Sequence, residues 1–140
     1  MIIGLTGYAR SGKDTVAKTL VDEYGYKRIA FADAIRDMLY ELNPMVDSIV
    51  GEPIFLQSMV KRYGWEEAKS NPRVRQYLQK LGVAARDHID ENIWVTAAFN
   101  KMNDPMQNYV ITDVRFENEA NTIKESNGQI WRITVSYTHL

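Results

Sequence analysis

The sequence predicts an α/β domain with a parallel sheet covered by helices on both faces. Three observations carry this expectation. A short apolar, β-branched stretch at the N-terminus enters a glycine-rich loop and then a helical pattern. "YKRIAFA" followed by "AIRDMLYELN" repeats that order, and "NYVITDVRF", "ENEANTIKESNG" and "QIWRIT" repeat it near the other end. Strands alternating with helices favour parallel pairing, because parallel neighbours need a crossover that helices supply. With 140 residues, 45% of them hydrophobic and 25% charged, the chain can bury one core, and one domain is expected.

Taken in order, "MIIGLTG" is a strand bounded by glycine. Over residues 13–24 the apolar Val16, Ala17, Leu20, Val21 and Tyr24 recur at helical spacing, and Gly25 is a natural stop. "YKRIAFA" reads as a second buried strand, with Asp33 placed to cap a helix that Pro44 ends. A mostly helical middle follows. Its clearest piece is "PRVRQYLQKLGVAARDHI", opened by proline and carrying Val74, Tyr77, Leu78 and Leu81 on one side; "ENIWVTAAFNKM" adds another helix. "NYVITDVRF" is strand-like, Gly128 closes the next helix, and "QIWRIT" is a last strand. There is no internal repeat and no low-complexity linker.

Composition excludes several function classes. No run approaches the roughly eighteen apolar residues of a membrane span, and the N-terminus lacks the basic flank and apolar length of a signal peptide. A cytoplasmic protein without a membrane partner is expected. The absence of cysteine rules out disulfides and thiolate zinc sites, and two histidines leave little for an imidazole cluster. The formal charge of −1 hides an asymmetry: residues 61–86 hold seven Lys/Arg against two acids, and residues 87–125 hold three against eight. The basic block is either a solvated helix surface or a segment that meets an anionic ligand. Few aromatics interleave it, so nucleic acid is not an expected partner.

The chemistry concentrates in "GYARSGKD", which fits G-x-x-x-x-G-K between a strand and a helix. Glycines at positions 7 and 12 let backbone N–H groups approach a polyphosphate closely. Lys13 adds a cation, and the helix starting there adds its positive dipole end. The strict phosphate-loop pattern ends in Ser or Thr, and Asp14 breaks it. A chance glycine turn is the bland alternative; the flanking strand and helix favour nucleotide binding. In "YVITDVRF", an apolar strand ending in Asp113 resembles the acidic strand end that helps hold Mg²⁺ in phosphate-loop proteins. Arg115 shares its direction if the strand continues; the alternative is an Asp113–Arg115 pair at a strand end.

Together these blocks resemble the phage-type deoxynucleoside monophosphate kinases, within the adenylate-kinase-like group of phosphate-loop kinases. The resemblance runs through Thr134. It rests on "GYARSGKDTVA", on "FADAIRDML" (similar to that family's "FADPLK" block), on "LQKLGVAARDHIDENIWV" and on "VITDVRFENEANTIK". Val83 and Ala84 stand where the family usually has Thr-Glu, so an acceptor contact made there is not carried over. The resemblance implies a three-layer P-loop NTPase fold with a helical acceptor-binding insert at about 44–104. It also implies transfer of the γ-phosphoryl group of ATP, with Mg²⁺, to a (deoxy)nucleoside 5′-monophosphate in a phage-encoded or bacterial cytosol. A homodimer is compatible with it.

On this resemblance Lys13, Asp33 and Arg115 are the catalytic candidates. Gly7, Arg10, Ser11, Gly12, Lys13, Asp14 and Thr15 hold the nucleotide; Asp33, Arg36, Arg86 and Arg115 hold the acceptor; Asp14, Thr15 and Asp113 hold the metal. Guanidinium forks suit phosphate oxygens, which favours the arginines over the lysines, with surface salt bridges as the alternative. A carboxylate beside a triphosphate is repelled unless a cation intervenes, so Asp14 makes sense chiefly if it reaches Mg²⁺. Tyr77, Trp94, Phe99 and Trp131 are expected in the core, while Phe31 and Phe116 flank the proposed site.

The resemblance stops just before "VSYTHL", which one reading frame of a common transposon sequencing adapter encodes. Residues 135–140 are therefore expected to be a non-native tail on a kinase domain, 1–134, that is C-terminally incomplete. It would then lack a lid-like arginine region, an adenine-binding loop and a final strand. The alternative is a real polar tail continuing the last strand. Two functional rivals stand beside the kinase: an adenylate-kinase-like enzyme with a non-nucleotide acceptor, since animal-type phosphomevalonate kinase also carries Gly-Lys-Asp, and a non-catalytic nucleotide-binding module.

Overall fold

The computed structural model describes residues 1–8, 11–48 and 50–134. The chain forms two compact units: Met1–Phe31 with the chain from Val95 onward, and Ala32–Trp94.

The first unit is a three-layer α/β structure. β1 (Ile2–Thr6), β2 (Lys27–Ile29), β5 (Tyr109–Ile111) and β6 (Gln129–Arg132) form one sheet in the order β2-β5-β1-β6, and every pair is parallel. Ile2 lies opposite Tyr109 and Gly4 opposite Ile111. Successive side chains point to opposite faces of a strand, and the two cores follow that alternation. Ile3, Leu5 and Val110 pack with Ala17 and Leu20 of α1 (Lys13–Tyr24) on one face. Ile29, Tyr109 and Ile111 pack on the other with Val95 and Ala98 of α5 (Ile93–Lys101) and Ile123 of α6 (Glu117–Glu125). Both sheet faces are thus covered, as the alternation of strands and helices predicts. No helix among the described residues is long and apolar enough to cross a membrane.

The second unit is mainly helical. It holds α2 (Asp33–Leu42), α3 (Leu56–Ala68) and α4 (Pro72–His88), with β3 (Met45–Asp47) and β4 (Pro53–Phe55) paired antiparallel. Leu39, Val46, Leu56, Met59, Ala68 and Val74 form its core, and Tyr77, Leu78 and Leu81 pack against it from the apolar side of α4. Pro72 opens α4, and the Asn71 side chain caps it by accepting from the N–H groups of Arg73 and Val74.

Several expectations need correction. The second strand is shorter than "YKRIAFA": it stops at Ile29, with Lys27 and Arg28 exposed, because its partner β5 offers three residues of ladder. Asp33 does not cap α2. Ala32 is the N-cap with helical dihedrals (φ −73°, ψ −10°), which places Asp33 inside the first turn, where its charge suits the helix dipole. β5 ends at Ile111, so Asp113 and Arg115 lie in a loop and not on one strand face. Asn127 (φ 61°), not Gly128, takes the left-handed conformation after α6. Trp131 is 38% exposed on β6, an edge strand of the described sheet, outside the core. The β3–β4 hairpin was not expected at all.

Ile111 has no exposed surface and sits on β5, between β2 and β1. Ile111→Ala should lower unfolding stability by about 2–5 kcal/mol. Met106→Ala, at a residue 89% exposed, should change it by less than about 0.5 kcal/mol. Urea unfolding of the two variants checks both.

Candidate functional site

The turn after β1 is built around two glycines. Gly7 (φ 146°) and Gly12 (φ 98°) both have positive φ. A Cβ on Gly7 would lie 2.5 Å from the Ile133 carbonyl oxygen and 3.0 Å from Ser11 Oγ, so only glycine passes there. The Ser11 N–H donates to the Tyr8 carbonyl at 3.1 Å, and the Val16 N–H donates to Gly12 at 3.0 Å as the helix begins. Gly12 is the N-cap of α1, and no side chain of a described residue caps the first turn. The N–H groups at that helix start therefore remain available to an anion. Lys13 is half-buried there, and Asp14 and Thr15 are exposed.

Ser11 adds a separate signal. Its Oγ is buried and has no hydrogen-bond partner among the described residues. Leaving a buried hydroxyl unsatisfied costs on the order of 1–3 kcal/mol. A phosphate oxygen would supply the missing acceptor.

The loop after β5 is held from three sides. The Thr112 N–H donates to Ile29 at 3.1 Å and the Val114 N–H to Leu5 at 3.2 Å, fastening the loop to β2 and β1. Asp113 Oδ1 accepts the Phe31 N–H at 2.8 Å. The Asp113 carboxylate is thereby anchored at the carboxyl end of the sheet. Phe31, bonded to Asp113 through its backbone, has its side chain buried in the core, and Phe116 is 49% exposed.

Topology brings the two loops to one place. β1 and β5 are parallel neighbours, yet α1 packs over one face of the sheet and α6 over the other. Adjacent strands whose following helices leave to opposite faces open a crevice at their carboxyl ends, where α/β proteins bind ligands. Residues 7–8, 11–15 and 112–116 flank that crevice. Among the described residues no three His, Asp or Glu side chains cluster as a metal cage.

A protein of Acanthamoeba polyphaga mimivirus described as "Putative deoxynucleotide monophosphate kinase" is 34% identical over 154 aligned residues, spanning 95% of this chain and 73% of the viral protein. The chain belongs to the deoxynucleotide monophosphate kinase family. No protein-family model matches it.

The other candidate residues of this kinase-family chain lie in the second unit. Asp33 opens α2, Arg36 follows one turn on with its guanidinium 5.9 Å from the Trp65 ring centroid, and Arg86 sits in the last turn of α4. Arg10 and the tail 135–140 lie outside the described residues.

Glu119 is a residue that sequence reasoning missed. Its side chain is 7% exposed, and its Oε1 accepts the N–H groups of Arg115 at 2.8 Å and Phe116 at 2.9 Å. It sits three residues past the α6 N-cap, the spacing of a capping box, but the N-cap is Phe116 and not Ser or Thr, so half of that signature is missing. Glu119→Ala should cost about 1–3 kcal/mol by stranding two donors. Glu119→Gln, which keeps an acceptor, should cost less, and thermal unfolding of both variants measures the difference.

Proposed function

We propose that this chain transfers the γ-phosphoryl group of ATP to a (deoxy)nucleoside 5′-monophosphate in the presence of Mg²⁺. The observation that carries this reading is the turn after β1, where a helix start that no described side chain caps, two positive-φ glycines and the buried Ser11 hydroxyl converge beside Lys13. Membership of the kinase family supports the reaction class.

In this reading the N–H groups of residues 7–15 and Lys13 hold the donor phosphates. An oxygen of the acceptor phosphate bonds to the γ-phosphorus as the bond from the γ-phosphorus to the bridging oxygen breaks, leaving ADP. No covalent intermediate on the protein is needed, so positioning and charge neutralisation are the protein's contribution. Arg115 is exposed at the crevice and able to meet charge on the transferring group. Asp33, Arg36 and Arg86 are assigned to the acceptor.

Mg²⁺ commonly binds through one or two carboxylates and the substrate phosphates, and the donor set fits that habit. Asp14 is exposed in the first turn of α1, and Asp113 is anchored at the end of the sheet. Thr15 lines a groove of about 570 Å³ with Val16, Thr19, Gln129 and Trp131. We therefore assign the metal-side role to Asp14 before Thr15. When bound, the ion neutralises charge on the phosphates.

The test is acceptor-dependent ADP formation with Mg·ATP across the deoxy- and ribonucleoside monophosphates. ADP should appear only when an acceptor is present. Lys13→Ala should weaken ATP binding about ten- to hundredfold, and Asp14→Asn should change the Mg²⁺ dependence of transfer. ATP binding that Lys13→Ala weakens, with no ADP release for any monophosphate, would overturn the proposed transfer.

A further inference from the structure

Trp65 sits behind a break in its own helix. Within α3, Gly64 has φ 82° and ψ 165°, a backbone region open in practice only to glycine. Nothing lies within 4 Å of a Cβ built there, so crowding does not explain the glycine; the dihedrals do. An unbroken helix would set Trp65 at a fixed rotation from Tyr63. The break releases the 65–68 segment from that rotation.

The indole is thereby set against α2. The Arg36 guanidinium lies over the Trp65 ring at 5.9 Å, and the Tyr40 ring is 6.4 Å away, inclined at 50°. Trp65 also packs on the core of the second unit. The other end of α3 is tied to α2 by Gln57, whose N–H donates to Asn43 Oδ1 at 3.0 Å and whose Nε2 donates to the Tyr40 carbonyl at 2.8 Å. Those bonds fix the part of α3 before the break against α2, and the break then lets the ring turn toward the same helix.

We propose that Trp65 is a positioning residue for acceptor binding, holding the Arg36 guanidinium in place for the phosphate of the nucleoside monophosphate. This rests on the acceptor role assigned to Arg36 above. An aromatic face attracts a cation through its quadrupole without taking a conventional hydrogen bond. A carboxylate partner would occupy the guanidinium fork; the ring leaves its N–H donors for phosphate oxygens. No carboxylate pairs with Arg36 among the described residues.

Calorimetric titration of the full chain with each of the four common deoxynucleoside 5′-monophosphates, without ATP, tests this independently of turnover. For the tightest of the four, Trp65→Leu should raise Kd roughly 3- to 30-fold and Trp65→Phe by less, the span expected of a cation–π contact. Gly64→Ala should do the same with the indole intact. In an Arg36→Met background, Trp65→Leu should change Kd by less than about twofold, since coupled residues are not additive.

A purely structural tryptophan would lower stability without that coupling. An unchanged Kd in Trp65→Leu, or an equal loss with and without Arg36, overturns the inference while leaving the acceptor role of Arg36 standing. An unchanged Kd in Arg36→Met, or no binding of any monophosphate to the unaltered chain, removes the acceptor role and the inference with it.

Discussion

The parallel pairing of Ile2–Gly4 with Tyr109–Ile111 joins segments separated by most of the chain. Closing so long a loop costs entropy before any contact repays it. The repayment is burial on both sheet faces: Leu5, Val110 and Ile111 have no exposed surface, and the two cores they enter belong to different faces. The pairing also aligns the carboxyl ends of β1 and β5. Without it the glycine turn and the Asp113 loop would be two unrelated connections; with it they share a crevice.

That crevice shows a division of labour between backbone and side chain. The turn after β1 offers backbone donors, and its glycines keep side chains out of the way. The loop after β5 is the reverse: its backbone is spent on Ile29, Leu5 and Glu119, which immobilises it and leaves Asp113 and Arg115 as its chemical groups. A fixed loop costs little to order at the moment of binding, which is where preorganisation gains affinity. Glu119 belongs to this economy although it sits on a helix and faces inward.

Much of the fold was legible because chemistry marks its boundaries. The limits of α1 follow from the glycine at each end, and the N-terminal limit of α4 from Pro72; the Asn71 cap before it emerged only from the structure. Boundaries set by partners were not legible. "NYVITDVRF" alternates polar and apolar residues beyond Thr112 as a strand would, but a strand lasts only as far as its neighbours extend, and no local pattern reports that. The hairpin of β3 and β4 has three residues a strand, too few for alternation to stand out. At the site, the glycine turn was readable because sequence dictates its backbone, while Glu119 acts through a contact that its sequence neighbours only half announce. Trp131 was expected in the core from its strand spacing among apolar residues, yet it lies on an edge strand of the described sheet.

The same distinction explains why counting charge in the basic block said little. Lys69 pairs with Glu66 at 2.9 Å, yet both side chains are substantially exposed, and such a pair contributes little to stability or recognition. Arg36 lies outside that block and would have been passed over in a tally of it. What sets a cation's capacity for a phosphate is its partner, because a carboxylate consumes the hydrogen-bonding edge whereas an aromatic ring engages the charge and leaves the edge free. In this chain the ring beside Arg36 follows a backbone break at Gly64, so a glycine with no titratable side chain helps set which partner that guanidinium meets.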